Sequence, residues 1–391
     1  MKERVKEKAD HYFHKVVEIR RHLHQHPELS FKEEQTAQFV FQTLESMGLQ
    51  PQRMANTGVV ALIEGAKTGP VVALRADLDA LPILETNEVP YKSKNDGVMH
   101  ACGHDVHTAS LLGAAMILND LKSELSGKIK LIFQPGEEKL PGGASIMIQE
   151  GVLKNPEPKA IFGQHVFPEL EVGKVGFRSG QYMASCDEIH ITVKGKGGHG
   201  AMPHLAIDPI LISSHLVLAL QQVVSRKSNP LIPSVLTIGK FIGNGATNVI
   251  PSEVKLEGTF RTFDETWRSE AHKEIVSIAE NLVKSMGGTC DIDIQRGYPF
   301  VFNDEALTEK ARQSAIAYLG ESNVVELPMR ATGEDFSFYT QAMPGTFYRL
   351  GVANPSKGIM HPVHSPSFDA DEESLRIGSG LMAWIAINEL K

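Results

Sequence analysis

The densest chemistry in the sequence lies in Met99-His100-Ala101-Cys102-Gly103-His104-Asp105-Val106-His107, nine residues that hold a thiol, imidazoles and carboxylate. Sulfur and nitrogen donors so close together suit a transition metal of the zinc class. Gly103 between them permits a backbone conformation that other residues resist. The same run also reads as a helix N-terminus capped by Asp105, with incidental histidines. Other donor-type residues stand far off in the sequence: Asp77 and Asp79, the adjacent pair Glu137 and Glu138, His165, and His361 with His364 in a loop stiffened by Pro362 and Pro366. A carboxylate alone in such a place is ordinarily a solvated turn residue, so what matters is whether the fold gathers them.

The apolar runs give a reason to expect that it does. Strand character falls at residues 58–63, 71–74, 128–133 and 160–163, with helical periodicity at about 5–25 and 33–47 and an amphipathic helical pattern at 107–121. Asp77 and Asp79 follow the second of these strands, Glu137 and Glu138 the third, and His165 the fourth. In an open α/β sheet the ligand crevice lies beyond the carboxyl ends of the strands, so three strands would deliver carboxylate and imidazole to one edge. The alternation itself predicts an α/β domain on a mainly parallel sheet.

From about Asp187 the order becomes strand (187–194), helix (209–225), strand (234–241), strand (253–261), helix (265–286) and strand (289–295). That β-α-β-β-α-β order is the ferredoxin-like unit. After Gly297-Tyr298-Pro299 the alternation resumes, with helices at 305–319 and 374–390. The simplest architecture is a mainly parallel α/β catalytic domain, residues 1–182 and 297–391, interrupted by an inserted α+β domain, residues 183–296.

Several function classes drop out. The net charge is −8 and the charges are interspersed, so no basic surface tracks phosphates and nucleic acid is not an expected partner. No run approaches the roughly 18 apolar residues of a membrane span, and the charged opening, residues 1–23, does not look like a signal peptide. Cys102, Cys186 and Cys290 are too few and too widely spaced for a disulfide framework, so a cytoplasmic setting is expected. Cys186 and Cys290 read as small buried hydrophobes. Gly195-Lys196-Gly197-Gly198-His199-Gly200 satisfies the dinucleotide pattern letter by letter, but Pro203 and Pro209 stand where its helix should open. Of His22, His24 and His26 only the first and last share a helical face, and a structural role is expected for them.

Taken together, Leu74-Arg75-Ala76-Asp77-Leu78-Asp79-Ala80-Leu81-Pro82, the Met-His-Ala-Cys-Gly-His-Asp run, Phe133-Gln134-Pro135-Gly136-Glu137-Glu138, Gly198-His199-Gly200-Ala201-Met202-Pro203-His204 and His364-Ser365-Pro366 resemble the zinc aminoacylase and carboxypeptidase family. More closely, they are similar to its N-acyl-amino-acid amidohydrolase branch, with its hippurate and auxin-conjugate hydrolases. The matching motifs run in order from Arg21-His22-Leu23-His24 to Glu334-Asp335-Phe336. One departure, Gly136 where many members carry alanine, is expected to matter little.

The resemblance implies metal ligands at Cys102, His104, Glu138, His165 and His364, two divalent ions per subunit, and Glu137 as catalytic base. Zinc or manganese is expected, with cobalt and nickel open. Asp77 is left as a weak ligand candidate and Asp79 as an orienting residue behind the ligands. Adjacent carboxylates at a strand end can point apart, one to metal and one to water, which agrees with the division between Glu138 and Glu137. The resemblance further implies that the inserted domain is a lid and dimerisation element, that His199 reaches the oxyanion from the partner subunit of a homodimer, and that Asn248 and Arg261 bind the substrate carboxylate. The expected reaction is hydrolysis of the amide bond of an N-acyl amino acid by metal-activated water. A dipeptidase or carboxypeptidase with the same site, and a non-catalytic metal-stabilised binding protein, are the alternatives.

Overall fold

The computed structural model describes all residues, Met1–Lys391. Its helices are α1 (Lys2–Gln25), α2 (Glu34–Ser46), α3 (His104–Leu121), α4 (Gly143–Gln149), α5 (Pro209–Gln222), α6 (Glu265–Ser285), α7 (Glu305–Leu319), α8 (Ser337–Ala342) and α9 (Glu373–Glu389). The first seven strands are β1 (Gln52–Met54), β2 (Gly58–Glu64), β3 (Lys67–Asp77), β4 (Ser126–Gln134), β5 (Ala160–Glu171), β6 (Val175–Phe177) and β7 (Gly180–Met183). Next come β8 (Asp187–Lys194), β9 (Gly198–His199), β10 (Ser234–Ile242), β11 (Val249–Ile250), β12 (Glu253–Thr262) and β13 (Thr289–Arg296). The last are β14 (Val301–Asn303), β15 (Val324–Glu326) and β16 (Gly345–Ala353).

Two compact units divide the chain. The first comprises Met1–Gln181, Phe302–Met329 and Asp335–Lys391, the second Tyr182–Val301 with Arg330–Glu334. Compared with the expected insert at residues 183–296, the second unit runs on to Val301 and takes in a short return from the C-terminal part of the chain.

In the first unit eight strands lie in the order β1-β2-β4-β3-β5-β16-β6-β15. The central run from β4 through β3 and β5 to β16 is parallel. The sequence expectation of an amphipathic helix at 107–121 needs correcting. Helix α3 begins at His104 and is buried on all sides, from His104 to Leu118, because it lies between the sheet and helices α1 and α9. A helix apolar all round belongs in such a middle layer. Helix α1, in contrast, buries one stripe, Val5, Ala9, Val16, Ile19 and Leu23, against that layer.

The second unit is a four-stranded antiparallel sheet, β10-β12-β8-β13, carrying α5 and α6. That is the ferredoxin-like arrangement. Alternate residues of β8, Ile189, Ile191 and Val193, meet Leu216 and Leu220 of α5 and Ile275 and Ala279 of α6 in a core of its own. Asp208 and Asp264 cap the two helices through their N-terminal backbone N–H groups. Cys186 and Cys290, expected to be buried, are only partly so.

Candidate metal centre

Three parallel strands and the start of α3 build the site. Asp77 is the last residue of β3 and pairs across the ladder with Gln134 of β4, so Asp79 and the Glu137–Glu138 pair leave neighbouring strands at the same end. His165 lies inside β5 rather than beyond it, opposite Arg349 of β16. Gly103 joins Cys102 to His104 in the left-handed region, φ +79°, and a Cβ there would stand 2.6 Å from Val166 Cγ2. Only glycine lets the segment turn there and lie so close to β5.

The donor atoms of Cys102, His104 and His165 all fall within 4.8 Å of one another, as do those of Cys102, Glu138 and His364, and those of His104, Glu137 and Glu138. Cys102 therefore belongs to two groups, and its Sγ lies 3.4 Å from His165 Nε2. His361 joins none of these groups and is exposed.

Each ring is set by what its other nitrogen does. Asp79 Oδ1 lies 3.2 Å from His104 Nδ1, and the Val166 carbonyl 2.7 Å from His165 Nδ1. Both partners are acceptors, so each Nδ1 carries its proton and the neutral form of each ring has its lone pair on Nε2, the arrangement a metal-binding imidazole requires. Asp79 does more than orient one ring. Its oxygens also accept the backbone N–H groups of Glu137 (3.0 Å) and Glu138 (2.9 Å) and the hydroxyl of Ser30 (2.6 Å). His107 has no lone pair to spare. Val166 N donates to its Nε2 (2.9 Å), so its Nδ1 donates to Asp77 (2.6 Å). Asp77 is likewise committed, with its second oxygen 2.6 Å from Arg75 Nη1, which argues against its use as a ligand.

The residues fit a cation. His104 Nε2 and Glu138 Oε1 are buried and lack hydrogen-bond partners, a costly state for groups of that polarity. His364 Nε2 lies 3.2 Å from Glu138 Oε1 but without the alignment of a hydrogen bond. Electrostatics point the same way. Burial alone would lower the His104 pKa, yet Asp77, Asp79 and Glu138 raise it to about 10. Burial and the neighbouring Glu138 and Glu137 carboxylates push the Cys102 thiol well up. Burial, helped by Arg349, holds His165 neutral. The centre without a cation thus concentrates negative field on protons that a metal would displace.

His364 enters from a loop in which its own φ is +63°, tied by its N–H to the Ala101 carbonyl at 2.8 Å. Gly136 proves less interchangeable than expected. It has φ +57°, and an added Cβ would stand 2.4 Å from the Phe31 ring, so alanine here would displace the ring beside the base.

In the second unit, His199 pairs with Val249 across β9 and β11, and Gly200 N donates to Asn248 O at 2.8 Å. His199 and Asn248 line one groove of about 830 Å³ with Glu253 and Lys255. Arg261 does not reach it. It lies six residues beyond Lys255 on β12, roughly 20 Å along the strand, where its Nη1 donates to the Ala331 carbonyl at 2.9 Å. The structure also shows residues the sequence reading passed over, namely Arg75, Gln134, His107 and Asp335 behind the donors. Their signal was spacing, since Arg75 and Asp77 sit two apart on one strand and so share a face.

Buried thiol, imidazole and carboxylate donors at the carboxyl edge of a mainly parallel sheet, with a further carboxylate beside them, define a hydrolase that works with divalent metal. The chain belongs to peptidase family M20/M25/M40, whose model matches residues 73–388. It is 46% identical over 303 residues to an N-acyl-L-amino acid amidohydrolase of Geobacillus stearothermophilus, covering 77% of this chain and 81% of the relative. To the IAA-amino acid hydrolase ILR1-like 4 of Arabidopsis thaliana it is 42% identical over 389 residues, covering 98% and 87%. A solved Bacillus subtilis protein, YXEP, described as a dinuclear metal binding peptidase of the M20 family, superposes with TM-score 0.84 at 36% identity, covering 97% of this chain and 99% of that one.

Proposed function

We propose that the protein hydrolyses the amide bond of N-acyl amino acids, with Cys102, His104, Glu138, His165 and His364 holding two divalent ions and Glu137 as general base. The observation that carries this reading is the gathering of those five donors, with His104 Nε2 and Glu138 Oε1 buried and unsatisfied, around a carboxylate that Asp79 holds by its backbone. Cys102, grouped with His104 and His165 on one side and with Glu138 and His364 on the other, would hold metal through its thiolate. When bound, the metals supply Lewis acidity to the carbonyl and acidify the attacking water. Glu137 takes the proton from that water and returns it to the departing amine nitrogen, a service worth about 10²- to 10⁴-fold.

His199 donates to the oxyanion of a site on the partner subunit of a homodimer, and the substrate carboxylate is bound by Asn248, which lines the same groove as His199, together with Arg261 contributed by the other subunit. Two features of the second unit support this reading. His199 Nδ1 accepts from Ala201 N at 3.0 Å, so a neutral ring carries its proton on Nε2 as a donor. The unit also exposes Leu211 and Leu218 of α5 and Val235 and Phe241 of the edge strand β10, apolar surface of the kind a second copy covers.

A screen of N-acetyl, N-benzoyl and N-indoleacetyl amino acids against metal-reconstituted protein tests the assignment. Hydrolysis of at least one class, abolished by Glu137→Gln, is expected. Preference for free dipeptides would move the reading to a peptidase, and tight ligand binding without turnover to a binding protein.

A further inference from the structure

We propose that Arg75 is a positioning residue for both halves of the centre, setting the base Glu137 through one set of bonds and the ligand ring of His165 through another. Arg75 is buried on β3, and its three guanidinium nitrogens go three ways. Nε donates to Gln134 Oε1 at 3.0 Å, Nη1 to Asp77 Oδ2 at 2.6 Å, and Nη2 to Asp335 Oδ1 at 2.7 Å.

The Asp335 branch leads to the base. Its carboxylate also accepts from Gln134 Nε2, at 2.8 and 2.7 Å, and from Ala144 N at 3.0 Å, so the start of α8 is tied to β3, β4 and α4. The Asp335 backbone N–H, fixed in this way, makes a long contact of 3.4 Å with Glu137 Oε1. The Asp77 branch leads to the metal ligand. Asp77 accepts from His107 Nδ1 at 2.6 Å, His107 Nε2 accepts from Val166 N at 2.9 Å, and the Val166 carbonyl accepts from His165 Nδ1 at 2.7 Å. A lysine could not serve both branches, because its donors radiate from one nitrogen whereas the guanidinium fork spans two carboxylates and an amide.

The inference rests on Glu137 being the base, and the test separates the two ideas. Asp335→Asn, Asp77→Asn and Arg75→Lys are made in the full chain. Each is measured for kcat and KM on a hydrolysed N-acyl amino acid, and, independently of turnover, for zinc affinity by competition with a chromophoric chelator. Asp335→Asn should lower kcat by about 10- to 100-fold, the scale of a slightly misplaced catalytic group, with KM and zinc affinity near wild type. Asp77→Asn should weaken zinc binding by about 10- to 100-fold, as loss of a group behind a ligand does. Arg75→Lys should show both losses. If it does not fold, the two near-isosteric Asn variants, which keep Arg75, still decide the matter. A purely structural role would lower Tm in all three without separating kcat from zinc affinity, and that result, or wild-type behaviour of both Asn variants, overturns the proposal. Undiminished turnover in Glu137→Gln would instead overturn the base assignment, leaving the zinc-affinity arm to judge the His165 branch by itself.

Discussion

Two regions of the molecule use histidine in opposite tautomers. In the first unit, His104 and His165 are buried, each donates from Nδ1 to a carboxylate or carbonyl, and the neutral form of each has its lone pair on Nε2. In the second, His199 is exposed, its Nδ1 accepts a backbone N–H, and the proton of the neutral ring sits on Nε2. One ring nitrogen's partner decides whether the other can bind a cation or donate to an anion. The difference teaches that residue type marks a candidate site, while the backbone around it assigns the role. It also divides expected phenotypes: changes in the first region should alter metal content, and changes in the second should alter kinetics with metal content unchanged.

The sharpest way to break that division is Glu137→Gln, because Glu137 lies in the first region and yet should behave otherwise. Turnover should fall by about 10²- to 10⁴-fold while metal analysis gives the wild-type content. Metal loss equal to that of Glu138→Gln would make Glu137 a ligand and dissolve the distinction. Next in size is His199→Ala. Removal of one oxyanion donor should cost about 10²- to 10³-fold in kcat with metal binding untouched. Mixing this variant with Glu137→Gln should restore part of the activity if the two groups serve one site from different subunits. A failure to complement, with subunit exchange verified, would confine His199 to its own chain. The third test sharpens the first region from within. Asp79→Ala removes the acceptor that fixes His104 and the N–H anchors of both glutamates, so metal affinity should drop by about 10- to 100-fold in a chelator competition. Unchanged affinity would show that burial alone orients the ring.

The fold class was legible because its signals are local: period-2 apolar runs, period-3.6 helices and the change of order at about Asp187. Some of the candidate donors were legible because Asp77 and Asp79 end or follow one strand, Glu137 and Glu138 follow another, and His165 stands in a third. What spacing could not give was connectivity in depth. Nothing in the sequence says that His107, three residues beyond His104, is committed at both ring nitrogens while His104 is open, because that depends on Val166 of β5 lying beside it. The all-round burial of α3 was misread as amphipathic for a related reason. Four of its five buried polar residues, His104, Asp105, His107 and Thr108, cluster at the N-terminal end, where they face other polar groups rather than water. Gly136 looked replaceable because the cost of a Cβ there lies in Phe31, over a hundred positions away.

The smallest expected effect concerns Arg261, which sharpens the second region by asking whether its two ends serve one substrate. Arg261 is held by a single bond from Nη1 to the Ala331 carbonyl, so the usual explanation of a strand-end arginine, a surface ion pair, does not apply. Its planar fork suits bidentate recognition of a carboxylate. A chain with net charge −8 has little long-range attraction for an anion and needs such a local cation. Binding energy gained at the carboxylate can also align the amide with the base, so its loss should appear in kcat as well as KM. Amidating the carboxylate of a hydrolysed N-acyl amino acid should lower kcat/KM by at least about tenfold, the scale of one charge-assisted contact of roughly 1.4 kcal/mol. Arg261→Lys should keep part of the preference for the acid, and Arg261→Ala should erase it while leaving the amide substrate unaffected. Equal cleavage of acid and amide by the wild-type protein would sever Arg261 from the substrate and make the protein an amidase indifferent to the carboxylate.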